Sequence, residues 1–427
     1  MEAQWLLLGV ALVFTALMVV AYVRPNGLVR GNVAWFACGW LGSEFAPWLA
    51  AAAFAFVAAS LGIPGATQAE PGRLAVMLLV ASGLGLVVVA GRTRQSSRRL
   101  AAALREGLGG SYAGEVPAQR LAAVAEIPLR RYLNPLPRRS RAVELMADVP
   151  YPGGHARNVL DVYRPATGCR DAPVLLQIHG GDWVAGHKRQ QALPLMHHLA
   201  SQGWIVVAVN YRLGPAARFP APVVDCKSAM AWIRGHIAAL GGDPSFIAVT
   251  GGGSGAHLAS LLALTFDHLE LQPGFEQIDT RPAACVALHG VYDLADRKQR
   301  YLHRRSRLRW LGTNLMPQPL GHEAAMWDRA SPATLVRADA PPFFILHGTH
   351  DSLAHVGEAR DFAQSLQRVS CNPVAYAELP GAQHGWDTLC SPRALHTVRA
   401  VTHFLEWCAA RHRALGALRD NANRARS

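Results

Sequence analysis

From about residue 142 the chain repeats one device. A short run that is apolar at nearly every position meets a glycine-rich or polar corner, and an amphipathic stretch follows. The runs are "APVLLQIHG" (172–180), "WIVVAVNYR" (204–212), "FIAVTGGG" (246–253), "ACVALHG" (284–290), "PPFFILHG" (341–348) and "NPVAYAELPG" (372–381). Between them lie helix-like stretches such as "VVDCKSAMAWIRGHIAAL" (223–240), "AHLASLLALT" (256–265) and "HVGEARDFAQSLQRV" (355–369). Strands without polar alternation have no wet face, so they imply a mostly parallel sheet with helices on both faces. Such sheets bind ligands beyond the carboxyl ends of their strands. His179, Ser254, Asp351 and His384 all fall at those ends.

The first ninety residues follow a different rule. "WLLLGVALVFTALMVVAYV" (5–23), "APWLAAAAFAFVAASLGI" (46–63) and "LAVMLLVASGLGLVVVA" (74–90) carry no charge and have about the length of a bilayer-spanning helix. No small-x-small cleavage site follows Val23, which argues against a signal peptide. Residues 1–91 are therefore expected to form three transmembrane helices, making a multi-pass membrane protein. Arg24 and Arg30 lie between the first two spans, and Arg92, Arg94, Arg98 and Arg99 follow the third. The loop before the third span has only Arg73, at its edge, and the N-terminal "MEAQ" has no Lys or Arg. That asymmetry places the N-terminus outside and the large C-terminal part in the cytoplasm.

The net charge of +13 is concentrated rather than spread. Between Arg92 and Arg141 there are 11 Arg against 3 Glu, so residues 92–141 read as a basic juxtamembrane linker facing anionic headgroups. Its Pro135 and Pro137 argue against one continuous helix. No aromatic-interleaved basic module or zinc-finger spacing supports nucleic-acid binding. The seven cysteines are odd in number and never form Cys-x-x-Cys. Reduced thiols fit better than a disulfide framework or a zinc site.

Four features then occur in fixed order. "IHGGDW" (178–183) sets small residues after a strand, where the backbone N–H groups of Gly180, Gly181 and Asp182 are candidates to hold an oxyanion. "GGGSGA" (251–256) is a strand-to-helix bend of small residues around Ser254, whose following N–H, that of Gly255, is a further donor. Asp351 in "LHGTHDSLAHV" and His384 in "LPGAQHGWD" complete the set. The chain order Ser, Asp, His matches the α/β-hydrolase arrangement. Ser254 would attack, His384 would take its proton and Asp351 would orient the imidazole.

Residues 142–412 are expected to form the α/β-hydrolase domain, and about 142–410 resemble the hormone-sensitive-lipase-like branch of α/β-hydrolase carboxylesterases, particularly actinobacterial membrane-anchored lipases and esterases. The resemblance rests on "LLQIHGGDW", "NYRLGPAARFPAPVVDCKSAMAWI", "GGDPSFIAVTGG", "LHGTHDSL" and "ELPGAQHGWD". It implies hydrolysis of carboxylic esters or lipids through a serine, with no metal and no cofactor. A basic insertion, 294–330, lies where such folds carry a cap, and residues 413–427 read as a flexible tail. Two positions depart from the family pattern. The family places serine directly after Gly-Gly, where this chain has Gly253, and Asp182 replaces a third glycine. Two registers follow: Ser254 crowns the bend in a serine esterase, or Gly253 does and the protein is an impaired hydrolase that binds lipid or a protein partner.

Overall fold

The computed structural model describes residues 2–25, 32–120, 134–136 and 140–424. Arg30, Pro137 and the arginines at 130, 131, 138 and 139 lie outside the described residues. Eight strands form one sheet: β1 (Val143–Pro150), β2 (Val159–Pro165), β3 (Ala172–Ile178), β4 (Ile205–Val209), β5 (Gly242–Gly252), β6 (Ala284–Leu288), β7 (Phe343–Gly348) and β8 (Val374–Leu379). Their spatial order is β1-β2-β4-β3-β5-β6-β7-β8. The β1/β2 and β2/β4 pairs are antiparallel, and every later pair is parallel. The chain leaves β3 toward β4 and returns on the other side to β5. The crevice at the carboxyl ends of β3 and β5 is thus the switch point where such sheets bind ligands.

Both faces of the sheet are covered, as its uninterrupted apolar strands require. Val174, Leu176 and Ile178 of β3 point into a core shared with Cys226, Met230 and Leu262. Leu175 points the other way, into a core with Trp204, Phe404 and Leu405. One layer consists of α6 (Ala221–His236), α7 (Ser254–Leu264) and α10 (Val356–Val369); α5 (Leu193–Ser201) and α11 (Pro392–Arg424) build the other. The expected flexible tail is corrected over 413–424, because α11 continues through it. That segment is rich in Ala, Arg and Leu, which lose little side-chain freedom in a helix.

The N-terminal region forms α1 (Glu2–Tyr22), α2 (Val33–Glu44), α3 (Ala46–Leu61) and α4 (Glu70–Leu108). Two of these, α1 and α4, are long and apolar enough to cross a membrane; α2 and α3, bent by 83°, add a third span if the pair is counted as one. Small residues let the bundle close: Ala11, Ala50, Ala53 and Ala75 are buried together with Leu79 and Leu86. The 39-residue α4 extends well past residue 90, and its Leu100, Ala103 and Leu104 enter the second sheet core. The stretch 92–108 is therefore a rigid continuation of the last helix rather than a linker. The apolar stripe of "LAAALREGL" has somewhere to bury, and that burial decides the outcome.

Polar contacts fasten the bundle to the sheet domain, among them Arg24 Nε donating to the Thr349 carbonyl at 3.2 Å. Glu44 of α2 pairs with Arg393, both fully buried, and accepts from Ser391 Oγ at 2.6 Å. Trp40 Nε1 donates to the carbonyl of Gly385 at 3.1 Å.

Candidate active site

The β3 end supplies the first wall. Beyond Ile178 the backbone passes through Gly181, Asp182 and Trp183 with φ of 120°, 53° and 62°, turning three consecutive residues out of the sheet. Trp183 anchors this loop by donating from Nε1 to His257 Nδ1 at 3.1 Å, and His257 Nε2 donates to the Ala330 carbonyl at 2.7 Å. Gly181 and Asp182 line the cleft, and among the described residues their N–H groups have no partner. Gly180 is corrected as an oxyanion donor, since its N–H is committed to Gln191 Oε1 at 2.7 Å. Nearby on the same loop, Lys188 is buried and held in ion pairs with Asp148 and Asp161.

The β5 end answers the question of register. Gly253 adopts φ 58° and ψ −120°, the strained bend between strand and helix, and α7 begins at Ser254. The small residues that the bend needs on either side are Gly251 and Gly255. A Cβ on Gly251 would lie 2.4 Å from the backbone of Gly255, and one on Gly255 would lie 2.1 Å from the carbonyl oxygen of Ile178. A Cβ on Gly253 would point at His384, 3.0 Å from Nε2. Ser254 is therefore corrected as the residue at the apex. Its side chain is buried, its Oγ has no hydrogen-bond partner, and its polar neighbour is the Tyr211 phenol. With the register set at Gly253, the N–H after the bend belongs to Ser254, which replaces Gly255 as the candidate donor.

The β7 and β8 ends hold a base and its orienting acid. His384 Nδ1 donates to Asp351 Oδ2 at 2.8 Å, and Asp351 Oδ1 accepts from the N–H groups of Leu353 and Ala354 at 2.9 and 2.8 Å. Burial opposes the Asp351 carboxylate, but the neighbouring His384 and His347 outweigh it and hold the carboxyl well below its usual range. Burial likewise disfavours a charged His384, yet the Asp351 charge prevails and raises the imidazole above its ordinary value. Nε2 keeps its lone pair and faces the bend.

A second imidazole, which sequence reasoning missed, stands beside the first. His289 follows β6, is fully buried with φ 42°, and donates from Nε2 to Asp387 Oδ1 at 2.8 Å. Its ring centroid is 4.3 Å from that of His384, and its Nδ1 lies 3.8 Å from the Cβ position of Gly253. The available signal was its place in "ACVALHG", another strand end with polar punctuation.

Above these groups lies a cavity of about 660 Å³. Its floor includes Gly253, Ser254, His384 and Asp182, and its walls are mostly apolar. Tyr301, Leu302, Trp310 and Leu311 come from the 294–330 insertion, whose helix α8 (Arg304–Asn314) covers the site and is followed by the short α9 (Ala324–Arg329). Val33 and Phe36 come from α2, and the Phe36 ring meets His384 edge-on at 6.5 Å. No cluster of three or more metal-ligating side chains occurs among the described residues.

Sheet, bend, oxyanion loop and His-Asp pair define an α/β-hydrolase of the esterase type, with glycine where its nucleophile stands. The BD-FAE family model matches residues 160–366. The chain is 44% identical over 346 residues to the probable carboxylic ester hydrolase LipM of Mycobacterium tuberculosis, covering 78% of each protein. It is 40% identical over 274 residues to esterase LipQ of the same organism, covering 64% of each. Among solved structures, a truncated carbohydrate esterase from gut microbiota superposes with a TM-score of 0.54 at 20% identity, over 64% of this chain and 99% of that one. That likeness concerns the fold. The chain belongs to the family of hormone-sensitive-lipase-like carboxylic ester hydrolases that includes these mycobacterial relatives.

Proposed function

We propose that this protein is a membrane-anchored member of its family that receives lipid-like carboxylic esters and works without a serine-bound acyl intermediate. The observation that carries this reading is Gly253. It holds the bend geometry and the line to His384, and it offers no hydroxyl. Ser254 begins a helix one residue later, which turns its side chain by roughly 100° away from that line.

The membrane part of the reading rests on α1, α4 and the cavity wall. Val33 and Phe36, from the segment between the expected spans, line the same cavity as His384. Val33, Leu302 and Trp310 are exposed at its rim. An ester with a long acyl chain can then enter from the bilayer surface, with its carbonyl directed at the Ser254, Gly181 and Asp182 N–H groups. Arg94, Arg98 and Arg99 remain exposed on α4, where the helix leaves the apolar zone, and would meet anionic headgroups. The arginine asymmetry supports a cytoplasmic sheet domain.

The test is labelling of the full chain, in detergent, by an active-site fluorophosphonate. The expected result is no covalent adduct, while a fluorescent long-chain ester analogue binds. An adduct mapped to Ser254 would refute the reading.

A further inference from the structure

The two imidazoles around Gly253 suggest a chemistry in place of the missing side chain. We propose that a water molecule above Gly253, held between His384 Nε2 and His289 Nδ1, is the nucleophile that hydrolyses the ester directly. This rests on the reading that no acyl-serine forms.

Each ring is braced from behind by a buried carboxylate. Asp351 accepts from His384 Nδ1 and Asp387 accepts from His289 Nε2, both at 2.8 Å. Those bonds assign the tautomers and leave each ring one bare nitrogen. His384 Nε2 and His289 Nδ1 lie 3.0 and 3.8 Å from one point, the Cβ position that Gly253 leaves empty. His289 Nδ1 is fully buried and has no hydrogen-bond partner. His289 is also a non-glycine residue held at φ 42°, a conformation that costs energy and is therefore informative where it occurs. Two converging acceptors call for a molecule with two donors. Water is the smallest, and donating both hydrogens turns its oxygen lone pairs away from the rings, toward the substrate.

The reaction balances without another reactant. The water oxygen bonds to the ester carbonyl carbon as the carbonyl π pair moves onto its oxygen, facing the N–H groups of Gly181, Asp182 and Ser254. One water proton passes to His384 Nε2, while His289 holds the remaining hydrogen of the attacking oxygen. Collapse of the tetrahedral species breaks the bond to the alkoxide, which takes the proton from His384. Carboxylic acid and alcohol leave, and no covalent enzyme species forms. His289 is thus a catalytic residue that touches the attacking water.

The experiment measures p-nitrophenyl butyrate hydrolysis by the full chain in detergent micelles, with the intact mass of the protein recorded during turnover. Turnover above that of the heat-denatured protein is expected, with no burst and no butyryl adduct. Gly253→Ala puts a methyl group into the water's place and His289→Gln replaces a basic ring nitrogen by a non-basic amide. Each should lower kcat by at least about tenfold, a small part of what a positioned base contributes, with KM within about twofold. Thermal unfolding shows that the variants are folded, and the KM–kcat split separates lost chemistry from a collapsed pocket. Absence of turnover in the wild type overturns the water mechanism but leaves the ester-binding reading intact. A burst of p-nitrophenolate with a butyryl adduct on the protein by intact mass reveals an acyl-enzyme and overturns both. A folded Gly253→Ala or His289→Gln with wild-type kcat overturns the water site.

Discussion

Gly253→Ser restores the side chain that the bend lacks, and its consequences can be worked from the geometry. The backbone there has φ 58° and ψ −120°, which glycine adopts freely and serine does not. The strain costs about 1–3 kcal/mol. At roughly 2–4 °C per kcal/mol for a domain of this size, the unfolding midpoint should fall by about 2–12 °C. The new Cβ would sit 3.0 Å from His384 Nε2, a few tenths of an ångström tighter than an ordinary contact, so the ring must give slightly toward the cavity. The hydroxyl would then lie beside a lone pair already oriented by Asp351. Loss of the nucleophile from a complete triad costs on the order of 10⁶ in kcat. Part of that deficit is offset in this protein if water attacks, so the expected gain in ester turnover is smaller, about 10²-fold or more. The assay is fluorophosphonate labelling read by intact mass, alongside the pre-steady-state burst of p-nitrophenolate. Stoichiometric labelling at position 253 and a burst equal to the enzyme concentration are expected. A folded Gly253→Ser variant that neither labels nor bursts would show that the bend is not the nucleophile position.

The remaining predictions concern charge and packing. Glu44→Gln leaves the fully buried Arg393 without its counter-charge and should destabilise the protein by about 3–5 kcal/mol; a thermal scan in detergent showing less than about 1 kcal/mol would remove the pair as the fastening between bundle and sheet. His384 must be neutral to act as a base, and its folded value is raised, so hydrolysis should rise with pH through a midpoint above about 6.5, read from kcat–pH profiles. The sign for stability is opposite: the His384–Asp351 interaction contributes fully below the unfolded histidine value and is lost as pH rises through the folded one. Phe36→Ala opens the cavity wall and should weaken binding of a dodecanoyl ester analogue by about tenfold while changing an acetyl analogue little, measured by fluorescence competition.

Much of this architecture could be read before any coordinates. The apolar runs announced a doubly covered parallel sheet because polar alternation is absent from them, and periodicity survives whatever the tertiary arrangement. Asp351 and His384 could be singled out because each follows a strand in the expected order. The bend was ambiguous: "GGGSGA" fits two registers, and composition alone cannot distinguish a glycine that is needed from one that is merely permitted. His289 and Asp387 escaped attention for a related reason. They are 98 residues apart, and although His289 sits at a strand end, nothing in the sequence links it to Asp387. The reach of α4 past the expected span was hidden because an arginine-rich stretch looks like a linker until an apolar stripe finds a partner.

The sequence by itself determined the two-part plan, the layered sheet and the strand ends at which chemistry would gather. These follow from hydrophobic periodicity and glycine placement, which act locally. Only the tertiary structure decided that glycine stands at the apex, that two braced imidazoles face it, and that an N-terminal helix walls the pocket. Those are facts about distances between segments far apart in the chain. Sequence spacing carries no measure of them, and a slip of one residue at the bend is enough to exchange a hydroxyl for an empty space.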